Sequence, residues 1–166
     1  MRSSIFASLA LTVWLLCAVG SSSGLAAASI DAAAPSLVLT ELNGASFDLH
    51  KLQGKVVLVH YWATWCAPCR KELPLLNSFY KRHHDDGLEV LGISADHPQD
   101  FAKMRKVSAT LAYPTATTDH ISDDGFGPPQ GFPLTYVIDR EGVVRAKFID
   151  VDDELLRDVV LPLLAK

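Results

Sequence analysis

The stretch Lys55-Val56-Val57-Leu58-Val59-His60-Tyr61-Trp62-Ala63-Thr64-Trp65-Cys66-Ala67-Pro68-Cys69-Arg70-Lys71-Glu72-Leu73-Pro74 decides the fold of this chain. Its first eight residues are nearly all apolar and rich in β-branched Val, the mark of a central strand covered on both faces. Strand alternation places Leu58, His60 and Trp62 on one of those faces. A helix is predicted from about Ala67 to His83, bent at Pro74, where proline removes one ladder hydrogen bond. Strand and helix therefore meet at Trp65-Cys66-Ala67-Pro68-Cys69-Arg70.

Downstream, Leu88 to Ala95 reads as a second buried strand. Two such strands separated by a helix run parallel. Gln99 to Ala109 reads as a mostly polar helix, and a loop rich in Gly, Pro and Asp spans roughly Thr117 to Phe132. Leu134 to Asp139 and Val143 to Ile149 flank Arg140-Glu141-Gly142 as an antiparallel hairpin. Asp152 to Ala165 closes the chain as a helix with acidic residues in its first turn. Upstream, Leu37 to Thr40 and Ser46 to Leu49 pair around Asn43-Gly44, a hairpin signal. The order β-β-β-α-β-α-β-β-α describes one compact α/β domain over residues 36–166, with a mixed central sheet flanked by helices and an N-terminal β-hairpin extension.

Composition agrees with one domain. The chain has 166 residues, 49% hydrophobic and 20% charged, which excludes a disordered polymer. A net charge of -4 without a basic tract argues against nucleic acid as a partner. The mean hydropathy of +0.18 traces largely to the N-terminus. Arg2 precedes an apolar run from Ile5 to Gly20, and Ser21-Ser22-Ser23-Gly24-Leu25-Ala26-Ala27-Ala28 follows. This is the layout of a secretory signal over residues 1–28, with Ala-x-Ala cleavage after Ala28. The alternative is an uncleaved membrane anchor, for which the run is slightly short of the roughly 20 residues a spanning helix prefers. Residues 29–35 read as a small-residue tether. Cleavage would remove Cys17, and a lipidated Cys17 is disfavoured because Trp14-Leu15-Leu16 lacks a small residue before it. Cys66 and Cys69 would remain, in a compartment that tolerates disulfides, of which a bacterial periplasm is the simplest.

Two residues between Cys66 and Cys69 let their sulfurs meet across one helical turn. The helix N-terminus favours an anion, so the Cys66 thiol should ionise readily. Cys69, one turn inside, should be more buried and suited to resolving a mixed disulfide. Pro68 fits the first helical turn, where its missing N–H is no loss. A purely structural disulfide would close a tiny loop and constrain little. A structural zinc site wants four ligands, and there is no second Cys pair. The spacing therefore points to redox chemistry.

The segment Tyr61 to Pro74 resembles the active-site segment of the TlpA/ResA/DsbE group of secreted thioredoxin-like proteins. Gly131-Phe132-Pro133-Leu134-Thr135-Tyr136-Val137-Ile138-Asp139 is similar to that family's second signature, whose proline is cis and faces the disulfide. The likeness spans roughly residues 35–166. It implies a thioredoxin-like fold and thiol–disulfide oxidoreductase activity needing no organic cofactor and no metal. It also implies a periplasmic or secreted monomer, held at the inner membrane if the N-terminal segment stays uncleaved. The expected substrate is a protein disulfide, and the expected electron donor a membrane thiol-reductase; several members serve cytochrome c maturation. By the same resemblance, Phe132 and Pro133 would bind an extended substrate segment beside Cys66.

Glu72, three residues after Cys69, matches a family acid that influences the cysteine pKa values, and a partly buried carboxyl group there could relay thiol protons. His60 departs from the family, which often has Asn six residues before the first cysteine. A histidine beneath the disulfide could take the Cys69 proton if it titrates near neutrality, and His60→Asn would then shift the pH profile of turnover. Trp65 is expected to pack beside the disulfide and shield it. His50, His97 and His120 fall in polar loops and carry no assignment. Rival functions are a disulfide oxidant or isomerase of the same fold, and a copper-binding or delivery module using both cysteines as soft ligands. A peroxidase is disfavoured because the segment before Cys66 lacks a Pro ahead of Thr64.

Overall fold

The computed structural model describes residues 28–165. The expected signal segment up to residue 27, Cys17 included, lies outside the described residues; Ala28 and Ser29, which flank the expected cleavage point, lie within them. Among the described residues no helix is long and apolar enough to cross a membrane.

The central strand β3 (Val56–Trp62) is buried along its whole length, as its apolar run requires. It pairs in parallel with β4 (Leu88–Ser94) and antiparallel with β7 (Leu134–Ile138). With β5 (Thr115–Thr117) and β8 (Val144–Phe148) at the edges, the five-stranded mixed sheet runs β5-β4-β3-β7-β8. A smaller antiparallel sheet, β2-β1-β6, is built from β1 (Leu37–Thr40), β2 (Ser46–Asp48) and β6 (Ile121–Asp124).

Alternation along β3 feeds two cores. Val57, Val59 and Tyr61 pack with Leu37, Leu39 and Phe47, so the N-terminal hairpin covers one face. Val56 and Leu58 pack with Leu76, Phe79 and Tyr80 of helix α1 (Ala67–His83) on the other. Helix α2 (Phe101–Ser108) joins that second face through Met104, beside Trp62. The C-terminal pieces join it through Leu156 and Val160. Each apolar side chain fully buried there stabilises the fold by about 1.5–3 kcal/mol. In β4, Gly92 stands opposite His60. A Cβ there would lie 3.1 Å from the Tyr113 ring and 3.2 Å from Trp62 Nε1, so glycine lets both rings close over the sheet.

Several expectations are corrected in detail. The stretch expected as a loop from Thr117 to Phe132 contains β6, whose pairing with β1 turns the predicted hairpin into a three-stranded sheet. Edge strand β5 is an addition to the expected order; its three residues pair with β4. The hairpin connection is five residues long, with Gly44 at φ 90. A 3-10 turn, Pro98–Asp100, replaces the first part of the polar helix. The closing helix is divided into α3 (Asp153–Leu155), a π-helical turn (Leu156–Val160) and α4 (Leu161–Leu164), with Pro162 in the first turn of the last piece. Within the stretch read as a tether, Ala34 N–H donates to Gly142 O at 2.8 Å and Asp31 N–H to Val144 O at 2.8 Å, so it lies docked against the β7–β8 hairpin.

Candidate active site

The end of β3 delivers the chain into α1 through Ala63-Thr64-Trp65-Cys66. Cys66 is the N-cap of α1 in extended backbone, with Pro68 in the first turn. Cys66 and Cys69 form a disulfide with Cα atoms 5.3 Å apart. The Cys69 N–H points at Cys66 Sγ, 3.2 Å away. That donor, with the helix N-terminus behind it, would stabilise a thiolate on Cys66 once the bond is reduced. Cys66 is 5% exposed and Cys69 0% exposed, so Cys66 is the one of the pair with any surface of its own. Ala67 and Pro68 are exposed beside it.

The loop ahead of Cys66 is clamped. Thr64, itself fully buried, donates its N–H to both carboxyl oxygens of Asp96 at 3.1 and 2.9 Å, and its hydroxyl to Asp96 Oδ1 at 2.6 Å. Asp96 lies just past the end of β4 and also accepts from Ser94 Oγ at 2.7 Å. On the other side of the same residue, Arg70 Nη1 donates to Thr64 O at 2.6 Å and Lys103 Nζ at 3.5 Å. Both polar groups of the Thr64 backbone are thus held, and Cys66 inherits that fixed position two residues later.

Antiparallel pairing of β7 with β3 brings the start of β7 to the same end of the sheet. The Phe132–Pro133 peptide bond there is cis. Phe132 packs against the cluster that contains both cysteines. Its ring meets Trp65 edge to face, centroids 5.5 Å apart. Trp65 is 52% exposed: it leans on Phe132 and presents much of its ring to solvent.

Beneath α1 lie the two titratable candidates. Glu72 follows Cys69 by three residues, hence on the same helix face. It is buried, not a helix-surface acid; its Oε1 accepts the Val151 N–H at 3.0 Å. Burial pushes its carboxyl up to about 7, the Val151 hydrogen bond opposes this, and nearby Asp150 adds to it. His60 is fully buried. Its Nδ1 is 2.9 Å from Thr135 Oγ1 and 3.9 Å from Glu72 Oε2. Burial pushes the imidazole down to about 3, so it is neutral at neutral pH. The near-neutral titration expected of His60 is corrected: desolvation disfavours the cation, and no fully ionised acid compensates. Of the pair, Glu72 is the group that changes charge near pH 7.

Two sulfurs at a helix N-terminus, a clamped approach loop, a cis-proline strand start and a buried acid complete the geometry. A protein-family model described as the AhpC/TSA family matches residues 30–147. The thiol-disulfide oxidoreductase ResA of a Bacillus cereus strain is 34% identical over 119 residues, covering 70% of this chain and 67% of that protein. The chain belongs to the ResA-like members of this family. It is a thiol–disulfide oxidoreductase of thioredoxin-like fold. The crystal structure of a secreted thiol-disulfide isomerase from Corynebacterium glutamicum superposes with a TM-score of 0.65 at 28% identity, over 80% of this chain and 86% of that one. A putative thiol:disulfide interchange protein DsbE from Chlorobium tepidum shares the fold, with a TM-score of 0.68 at 24% identity over 83% of this chain and 99% of that one.

Of the residues singled out from the sequence of this oxidoreductase, Cys66, Cys69, Pro68, Trp65, Phe132 and Pro133 meet at one end of the sheet, and His60 and Glu72 meet beneath α1. Sequence reasoning missed Asp96, Thr64 and Thr135. Asp96 could have been found: it follows the carboxyl end of a parallel strand, where α/β folds gather their sites.

Proposed function

We propose that this oxidoreductase is an exported reductant of protein disulfides. Cys66 thiolate attacks one sulfur of the substrate disulfide, forming a mixed disulfide and releasing the other substrate sulfur, which takes a proton. Cys69, deprotonated, then attacks Cys66 Sγ; the second substrate thiol leaves and the Cys66–Cys69 disulfide forms. Two electrons pass from the dithiol to the substrate, and a membrane thiol-reductase restores them. The observation that carries this reading is the asymmetry of the pair, Cys66 at the helix cap with a little of its surface open and Cys69 wholly enclosed. A periplasmic monomer acting in cytochrome c maturation is the setting that the resemblance favours.

Supporting roles follow from position. The backbone beside Phe132 and cis-Pro133 offers an unpaired strand end to an extended substrate segment. Glu72 accepts the Cys69 proton as its carboxyl, pushed up to about 7, allows; neutral His60, bonded to Thr135, borders that carboxyl group at 3.9 Å. Full-length Cys69→Ser protein in cells should accumulate a protein partner disulfide-bonded to Cys66. Capture of glutathione alone would contradict a dedicated protein substrate.

Glu72 also sets a pH dependence of known sign. Its pKa is raised from 4.5 to about 7, so its contribution to stability is complete below pH 4.5 and is withdrawn as pH rises through 7. Between about pH 5 and 8 this group alone should cost the native state about 2 kcal/mol. Glu72→Gln should remove that loss in urea titrations and also erase the near-neutral limb of the exchange rate. An unaltered limb would take the proton role away from Glu72.

A further inference from the structure

We infer that the face beside the disulfide receives a partner whose reactive segment carries acidic residues, with an apolar side chain seated between α1 and α2. The inference rests on the exchange reading above and specifies its substrate class. The chain as a whole is acidic, 19 Asp and Glu against 15 Lys and Arg. Several of its exposed cations nevertheless border this face. Arg70 and Lys71 open α1 and are exposed; Lys103 and Lys106 are exposed on α2, whereas Arg105 turns to a different cavity beside Glu41. Arg70 and Lys103 both reach Thr64 O, which brings two positive groups to the loop two residues before Cys66. Each keeps further N–H donors that a single carbonyl cannot occupy.

Between the helices runs an apolar groove of about 390 Å³, lined by Arg70, Leu73, Pro74, Val107 and Leu111 among others, with no Asp or Glu in its walls. Its floor is continuous with the site. Leu73 belongs to the same packed cluster as both cysteines, and Val107 and Leu111 pack against that cluster. Lys103 stands one turn before Val107 on α2. Two nearby acids are engaged elsewhere: Glu72 is buried against Val151, and Asp96 is taken up by Thr64 and Ser94. Sheet order places the Trp65–Phe132 pair on the β7 side of the disulfide and this groove on the β4–β5 side. A substrate segment crossing Cys66 would then rest on aromatic rings at one end and meet cations around an apolar slot at the other. Charge complementarity of this kind speeds encounter and selects partners.

The test uses three peptide disulfides of one apolar sequence, flanked by Glu, Gln or Lys, reduced by the full dithiol protein at low ionic strength. Each rate is divided by that protein's own rate with the Gln-flanked peptide. The Glu-flanked peptide should react at least about tenfold faster than the Lys-flanked one. The ratio should narrow in about 0.5 M salt. In Lys103→Glu/Lys106→Glu protein it should collapse or invert. In Lys81→Glu/Arg82→Glu protein, with the same charge change at the far end of α1, it should persist. A wild-type ratio near one, or a ratio that survives the Lys103/Lys106 change, overturns the inference. Failure of wild-type protein to reduce even the Gln-flanked peptide would instead overturn the exchange reading beneath it.

Discussion

Cys66→Ser protein should lose disulfide reduction by at least about a thousandfold, because the helix-cap sulfur is gone and the remaining thiol of the pair is enclosed. Cys69→Ser should behave differently. It keeps the nucleophile and its helix cap, so it should complete the first exchange and stall there. Steady-state turnover falls in both variants, but a single-turnover assay separates them: a burst of one released substrate thiol per protein with Cys69→Ser, none with Cys66→Ser. Equal bursts, or a burst only with Cys66→Ser, would reverse the assignment of attacking and resolving sulfurs. A partner-binding domain without exchange chemistry would tolerate both changes.

Asp96→Ala should destabilise the protein by about 3–5 kcal/mol. The change leaves the Thr64 N–H, the Thr64 hydroxyl and the Ser94 hydroxyl without their acceptor in a fully buried setting. Each unpaired donor costs roughly 1–3 kcal/mol. The alanine removes volume as well as charge. Asp96→Asn retains one acceptor oxygen and should lose clearly less. Urea titration of the three proteins checks the order, and a loss under about 1 kcal/mol for Asp96→Ala would mean that the clamp contributes little to the fold. The effect should reach the chemistry too, since the clamped residue lies two positions before Cys66.

What is legible in the sequence is what is continuous along the chain. The β3 run, the Cys66–Cys69 spacing and the Phe132-Pro133 signature are each short, unbroken segments. Helix α1 spans the residues expected from its pattern, Pro74 included. The second sheet is only half legible. Leu37 to Thr40 carries alternating burial and an Asn-Gly turn beside it, whereas β6 is Ile-Ser-Asp-Asp, a polar edge strand that exists because β1 offers it a ladder. Edge strand β5 is likewise three residues whose claim to strand geometry is the neighbouring β4.

The site divides along the same line. Cys66, Cys69 and cis-Pro133 announce themselves by spacing and signature, but the Thr64–Asp96 clamp joins residues 32 positions apart and no local pattern connects them. His60 is marked by its place on the strand, but its charge state is not, because full burial outweighs the intrinsic basicity of imidazole. Trp65 is marked by its place beside the disulfide, but its edge-to-face contact with the distant Phe132 is not.

Direction of electron flow is the centre of the functional account, and the equilibrium reduction potential of the Cys66–Cys69 pair measures it most directly. Equilibrated against a dithiothreitol or glutathione series, the full protein should give a value of roughly -250 mV or lower, in the range of thioredoxin-type reductants. A value of about -120 to -180 mV, where disulfide oxidants and isomerases lie, would contradict a reductase and make the same two cysteines the source of disulfides.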